Sequence, residues 1–292
     1  MKKRLLSIIL GITVGLGALT GCASSSSSSS ASSPVGAQAK ARTLEEIKSD
    51  GKIKIGVFSD KNPFGYVDSD GNIQGYDVYF AKRIGKDLLG SEEAVEFVYV
   101  EAASRVEYLQ SGKVDVILAN FTVTEERSEK VDFALPYMKV ALGVVSPDAA
   151  PITEVEALKD KNLIVVKGTT AETYFTEQHP EIKLVKYDEY QEAYDALLDG
   201  RGDAFATDNT EALAWSNQNE GFSTTIGSIG NIDSIAPAVQ KGNTELLNWI
   251  NDEIKALADE SFFHAAYEAT LLPVYGDTID PENLVVEGGV IE

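Results

Sequence analysis

The sequence predicts an α/β protein of two similar lobes, and three observations carry that expectation. The first is length. Beyond its first 42 residues the chain of 292 keeps about 250, more than one hydrophobic core usually holds. The second is the alternation of short apolar strands with helical stretches, the pattern of parallel α/β sheets. The third is a spaced pattern that occurs twice. Leu109, Gly112, Asp115, Asn120 and Thr122 match Leu197, Gly200, Asp203, Asp208 and Thr210 at identical separations. Each copy reads as a helix end, a glycine turn, a short buried strand and a polar residue at the strand's C-terminal tip.

The elements follow in chain order. Lys2, Lys3 and Arg4 precede an uncharged apolar run from Leu5 to Leu19, too short and too glycine-broken for a comfortable membrane span. Leu19, Thr20, Gly21 and Cys22 then stand in the order of a bacterial lipoprotein signal. Residues 1–21 are therefore expected to be removed and Cys22, the only cysteine, to carry a lipid anchor. Residues 22–42, with an unbroken serine run from Ser24 to Ser30, bury nothing and read as a disordered tether. Its roughly 20 residues reach an r.m.s. span of about 25 Å. Structure is expected from about Thr43.

Residues 52–58 (KIKIGVF) and 162–167 (NLIVVK) read as the first strand of each lobe, with residues 114–119 (VDVILA) and 202–207 (GDAFAT) as the repeated strands. Residues 68–72 (DSDGN) begin like a calcium loop. Their glycine is misplaced and Tyr79 stands where a bidentate Glu is needed, so they predict a hairpin turn. Residues 245–258 have the apolar spacing of a helix on a sheet, and Phe262, Phe263 and His264 follow on a packing helix.

Charge and cysteine usage exclude several classes. Removing Lys2, Lys3 and Arg4 takes the 25 Lys+Arg to 22 against 46 Asp+Glu, a net charge near −24. Such a surface repels nucleic acid and anionic membrane. With Cys22 anchored no disulfide is possible. No metal site and no cofactor are expected.

In open α/β sheets ligands bind beyond the carboxyl ends of strands, where helix N-termini point. Three such places carry polar residues: Asn120, Phe121 and Thr122 before the helix holding Arg127; Gly168, Thr169 and Thr170 before a second; Asp208 before a third. Each also satisfies a capping box, Thr122 with Glu125, Thr169 with Glu172 and Asp208 with Glu211, so capping alone accounts for any one of them. Together they make a different pattern. Arg127 and helix N-termini suit a carboxylate, and Asp208 suits an ammonium, the two ends of an α-amino acid.

On these residues the chain resembles the extracellular solute-binding proteins of the amino-acid family (family 3) that serve ABC importers. The matching segments are residues 63–88, 112–137, 167–175 and 200–209. Tyr79 departs from the family's usual acid and is assigned to lobe packing. The resemblance implies a two-lobed periplasmic-binding-protein-like fold (type II) with a hinge of two crossing strands. Lobe 1 would hold residues 43–138 and 235–292, and lobe 2 residues 139–234. It implies that Arg127 pairs with the ligand carboxylate, helped by Thr122, the backbone of Asn120, Thr169 and Thr170, and that Asp208 takes the ammonium. Phe58 stands where relatives taking basic amino acids carry an acid, which disfavours a cationic ligand.

Arg105 matches the arginine that meets a second carboxylate in acidic-amino-acid binders. Glu101 lies four residues earlier, and on a helix the two would touch. A neutralised Arg105 would suit a thiol better than a buried carboxylate. Residues 56–66 (GVFSDKNPFGY) and 285–289 (VVEGG), among others, resemble the cysteine-binding branch. The expectation is a monomeric, lipid-anchored, non-enzymatic binding protein on the extracytoplasmic face of a bacterial membrane. It would deliver cysteine to a permease, with aspartate or glutamate as the alternative and cystine less favoured. The fold also hosts dehydratases and peptidoglycan-cleaving enzymes, but neither His179 nor His264 is expected near a nucleophile.

Overall fold

A computed structural model describes residues 39–291. The expected signal sequence, Cys22 and the expected tether as far as residue 38 lie outside the described residues. Ala39 to Arg42 belong to the fold rather than the tether. The Ala39 N–H donates to the Gln110 carbonyl at 3.1 Å. Arg42 reaches the buried carboxylate of Asp115 through Nε at 2.9 Å and Asp50 at 2.7 Å. Two residues expected to bury nothing, Ala39 and Arg42, therefore tie the start of the fold to Gln110, Asp115 and the first helix's Asp50.

That helix, α1 (Leu44–Asp50), starts on a complete capping box between Thr43 and Glu46 and stops at left-handed Gly51. There follow β1 (Ile53–Val57), β2 (Asp60–Lys61), β3 (Gly65–Val67), β4 (Ile73–Gln74) and α2 (Tyr76–Leu89). β3 and β4 pair antiparallel across residues 68–72, the expected hairpin. Next come β5 (Val95–Tyr99), α3 (Arg105–Gln110), β6 (Val116–Ile117), α4 (Glu125–Lys130), β7 (Val131–Phe133) and β8 (Met138–Pro147). The middle of the chain holds β9 (Asn162–Val166), α5 (Thr170–Gln178), β10 (Lys183–Tyr187), α6 (Tyr190–Leu198), β11 (Ala204–Asp208), α7 (Asn209–Gln218) and β12 (Phe222–Ile235). β13 (Ala238–Gln240), α8 (Thr244–Ala258), α9 (Phe262–Thr270) and α10 (Leu272–Tyr275) complete it.

The strands form two five-stranded mixed sheets, ordered β5-β1-β6-β13-β7 and β10-β9-β11-β8-β12, plus the small β2-β3-β4 sheet. β1 runs parallel to β5 and β6, as β9 does to β10 and β11. The two lobes are thus built alike, and the repeat marks the same place in each. Gly112 and Gly200 both adopt left-handed φ (+68° and +69°) after α3 and α6, a conformation that costs glycine nothing. Asp115 accepts the Lys54 N–H at 2.8 Å and Asp203 the Asn162 N–H at 2.7 Å. Each carboxylate closes the open end of its lobe's first strand.

Two long antiparallel strands cross between the lobes. Met138 pairs with Ile235 and Lys139 with Ser234 at one end, and Pro147 with Phe222 at the other, with the register slipping three times between. These slips bend the pair, as extra residues in one strand do. Below the hinge, α8 buries Leu246, Ile250, Ile254 and Leu257, one helical face, against the first sheet. Phe263 stacks on Tyr137, and Tyr79 lies 5.4 Å from Phe262, ring to ring, in lobe packing as its position implied. His264 on α9 is held between Glu287 at 2.9 Å and Glu282 at 3.1 Å.

The repeated aspartates differ in burial, and that sets a test. The Asp115 side chain is 4% exposed and also pairs with Arg42, whereas that of Asp203 is 38% exposed. Asp115→Ala strips a charge-assisted partner from both a backbone N–H and a guanidinium, and should cost about 2–3 kcal/mol. Asp203→Ala should cost about 1 kcal/mol. Urea unfolding of both variants checks this; equal losses would contradict it.

Candidate ligand site

The repeat's two tips face each other across the lobes. Beyond β6, Asn120 takes a left-handed backbone (φ +43°), which asparagine tolerates better than most residues. Its N–H donates to Asp77 Oδ2 at 2.7 Å, and Tyr137 donates its hydroxyl to the other oxygen at 2.5 Å. Asp77 sits in the first turn of α2, wholly buried, and burial pushes its carboxyl up to about 6. The strained Asn120 peptide is thus held from behind by a carboxylate.

Arg105 does not meet Glu101. Residues 102–104 form a 3₁₀ turn before α3, so the two lack the α-helical i, i+4 relation that would bring them together. The Arg105 guanidinium turns inward, 3% exposed. It donates to the carbonyls of Ala102 at 2.9 Å, Ala119 at 3.0 Å, Asn120 at 3.3 Å and, across the cleft, Gly168 at 3.0 Å. Burial, then the neighbouring charge of Arg127, lowers it to about 9. The expected neutralisation by Glu101 is therefore corrected: carbonyl oxygens, not a carboxylate, satisfy this cation.

Arg127 donates to the Thr122 carbonyl at 2.7 Å and to the same Gly168 carbonyl at 2.9 Å. Both guanidiniums lie against Phe121, at 4.4 Å and 4.7 Å from its ring centre. Thr122 is buried but caps nothing. The cap of α4 is Thr124, whose hydroxyl accepts the Arg127 N–H at 3.2 Å. Thr122 instead bridges to Ile235 at the hinge, so the helix begins later than expected.

From the second lobe, Thr169 caps α5 as read, accepting the Glu172 N–H at 3.2 Å. Glu172 closes the box on Gly168 N–H at 2.7 Å rather than on Thr169. Gly168 adopts φ +73° and presses on the first lobe so closely that a Cβ would lie 2.4 Å from Ala103 Cα and 2.7 Å from Ala103 N. Thr170 opens α5 and lines a cavity of about 600 Å³ beside Arg127, with Tyr174, His179 and Asp233. His179 ends α5, its ring 3.5 Å from Glu181. A smaller cavity of about 160 Å³ lies by Phe58, Glu101 and Tyr190.

Asp208 precedes α7 without capping it through its side chain. Its Oδ2 meets Lys61 Nζ at 3.3 Å, a partner that sequence reasoning missed. Lys61 also bonds Asn120 Oδ1 at 2.6 Å and Tyr190 Oη at 3.1 Å. Phe58 is buried, edge-on to Tyr190 at 5.3 Å, with Lys61 and Arg105 over its ring at 5.6 Å and 5.5 Å. Glu211, one turn along α7, takes the Tyr194 hydroxyl, and burial pushes it up to about 7. Lys61 links Asn120, Asp208 and the Phe58 ring, and the Gly168 carbonyl links Arg105 and Arg127. Thr122 accepts from Arg127, Thr169 caps α5, and Thr170 lines the larger cavity. Tyr190, Asp77 and Glu211 join them. Among the described residues no cluster of His, Cys, Asp and Glu could hold a metal ion.

The chain and its fold have counterparts among known proteins. Residues 53–270 match the family described as bacterial extracellular solute-binding proteins, family 3. A crystal structure of the solute receptors for L-cysteine of Neisseria gonorrhoeae is 59% identical, with TM-score 0.83, covering 84% of this chain and 100% of that one. The cysteine-binding protein of Campylobacter jejuni is 54% identical at the same TM-score, covering 84% and 98%. An ABC transporter glutamine-binding protein of Bacillus subtilis (strain 168) is 34% identical over 233 residues, 79% of this chain and 85% of that protein.

Gly168 provides the test of lobe contact. A methyl group there meets backbone, which cannot yield as a flexible side chain would, and left-handed φ is strained for alanine. Titrated with the twenty amino acids, the wild type should contract with at least one, seen as a smaller radius of gyration in small-angle scattering. Gly168→Ala should stay folded and contract with none.

Proposed function

The chain belongs to the bacterial extracellular solute-binding proteins of family 3, and from that premise we propose that it captures free L-cysteine between its lobes and delivers it to the permease of an ABC importer. The observation that carries the ligand is the 59% and 54% identity to receptors for cysteine over 84% of the chain, against 34% for the glutamine-binding relative. The family assigns the protein to the outer side of the cytoplasmic membrane. In our reading Cys22 anchors it there and it acts as a monomer. Lobe 1 comprises residues 39–138 and 235–292 and lobe 2 residues 139–234, joined by β8 and β12.

Each role follows from the cleft's chemistry. Arg127 keeps Nε and further N–H groups for a ligand carboxylate after its two carbonyl contacts. Thr122 and Thr170 supply hydrogen bonds around that carboxylate, with Thr169 fixing the helix N-terminus beneath it. The Asn120 N–H is already given to Asp77, so its backbone offers the ligand only its carbonyl, an acceptor for the ammonium. Asp208 takes the ammonium. Phe58 and Arg105 bound the side-chain end. Arg105 spends most of its donors on four carbonyls, so a second carboxylate would have to displace them, while a thiol would not. Closing by hinge bending traps the ligand, and the closed form is what the permease meets.

Isothermal titration under reducing conditions tests the ligand directly. Wild type should bind cysteine more tightly than glutamine, aspartate, glutamate or cystine. Arg127→Ala leaves a carboxylate buried without its cation, a cost of about 3–5 kcal/mol, or at least a hundredfold in Kd. Tighter binding of another amino acid would overturn the ligand, and an Arg127→Ala variant within threefold of wild type would overturn the site.

The anchor is tested separately. Cys22→Ser should move the processed protein from the membrane to the soluble fraction with its ligand affinity intact. Continued membrane association of that variant would end the lipoprotein reading.

A further inference from the structure

Lys61 makes none of the ligand contacts proposed for the cleft, yet it is the only buried lysine among the described residues, 1% exposed. Its surroundings divide between the lobes. The first lobe gives it one hydrogen-bond acceptor, the neutral Asn120 Oδ1, the rings of Phe58 and Phe64 at 5.6 Å and 5.5 Å, and the charges of Asp60 and Asp77 without direct contact. The second lobe gives it a carboxylate, Asp208, a phenol, Tyr190 Oη at 3.1 Å, and the Tyr190 ring at 4.5 Å. Burial pushes the Lys61 ammonium down, but the negative ends of Tyr190, Asp208 and Glu211 outweigh it and hold it above its ordinary value. With the lobes apart, the second lobe's contacts are gone, Asp60 and Asp77 remain without direct contact, and the ammonium takes water in their place.

We propose that Lys61 is an interlobe latch, an ammonium carried on the first lobe that seats on Asp208 and Tyr190 of the second as the lobes close. It is a positioning residue for the proposed binding reaction and rests on that reading of the cleft. Seated, it engages Oδ2 of Asp208, while among the described residues no donor engages Oδ1. The carboxylate is thereby steered so that a ligand ammonium can take the remaining oxygen. Because the Lys61 contacts to Asp208 and Tyr190 exist only in the closed form, they slow opening. Their loss should therefore appear in ligand escape more than in ligand entry.

A static packing role makes a different forecast. Lys61→Met keeps the hydrocarbon stem in its aromatic cage and removes only the charge. The latch requires cysteine to leave this variant at least tenfold faster in stopped-flow experiments, with the association rate within threefold of wild type. Spin labels at exposed Lys86→Cys and Lys183→Cys, in a Cys22→Ser chain, should report fewer closed molecules at saturating cysteine. Tyr190→Phe should raise the off-rate about threefold when Lys61 is present and leave it unchanged in Lys61→Met, since the hydroxyl acts through the lysine. A lowered melting temperature with unchanged off-rate and unchanged label distances would overturn the latch. So would equal effects of Tyr190→Phe in both backgrounds. If Lys61→Met fails to melt cooperatively, Tyr190→Phe alone decides by its off-rate. If wild type prefers another amino acid, the ligand reading fails, and the same off-rate ratios are read with that ligand.

Discussion

Two guanidinium groups on one lobe converge on a single carbonyl of the other, and the closed arrangement depends on that oxygen. Arg105 and Arg127 both donate to Gly168 O, at 3.0 Å and 2.9 Å. Like charges this close repel, and burial removes the water that would screen them. The structure answers with oriented dipoles: the carbonyls of Ala102, Ala119, Asn120 and Thr122, and the face of Phe121 against both cations. Gly168 can present its carbonyl there only because it has no side chain to strike Ala103 and because Glu172 pins its N–H. An anionic group entering beside these cations finds charge already desolvated and aimed, with little reorganisation left to make.

Features written in local chemistry were legible in the sequence. The glycine turn and the aspartate of the repeat are local demands, a left-handed residue and a carboxylate for the first strand's end, and both lobes meet them with the same spacing. The Thr169 cap and the hairpin at residues 68–72 were local in the same sense. Legibility failed where two local answers competed. In TVTEE both Thr122 and Thr124 can open a helix. Thr124 does so because Thr122 and Val123 are taken by the hinge, through the bridge to Ile235 and the Ser234 carbonyl. The tertiary contact outbid the capping box. The expected pair of Glu101 and Arg105 failed likewise, because the α-helix starts at Arg105 and only a 3₁₀ turn separates it from Glu101.

Lys61 and Tyr190 belong to a further class, invisible because neither has meaning until the lobes meet. Read alone, SDKNPFG is a loop with a solvated lysine. The residues that surround that lysine are Asn120, Tyr190 and Asp208, far away in sequence and two of them in the other lobe. No periodicity reports such a neighbourhood. What the sequence does hold is the set of aromatic residues near it, Phe58, Phe64 and Tyr190, whose rings can replace part of the water a buried ammonium loses.

The contrast between the surface and the cleft bears on how selection works. The chain carries a net charge of −21, while its cleft gathers Lys61, Arg105 and Arg127, of which only Lys61 pairs there with a carboxylate, that of Asp208. An α-amino acid with an uncharged side chain is a zwitterion with no net charge, so the long-range field neither draws it in nor repels it. An amino acid with a second carboxylate is repelled at a distance, although arginines wait in the cleft. One with a basic side chain is drawn towards the surface and meets cations inside. Both charged classes thus encounter opposing fields at long and short range, and only the neutral zwitterion meets none. Discrimination among such neutral ligands must then come from contacts made after entry: the carbonyl-filled Arg105, the ring of Phe58, and the closeness with which Gly168 lets the lobes meet.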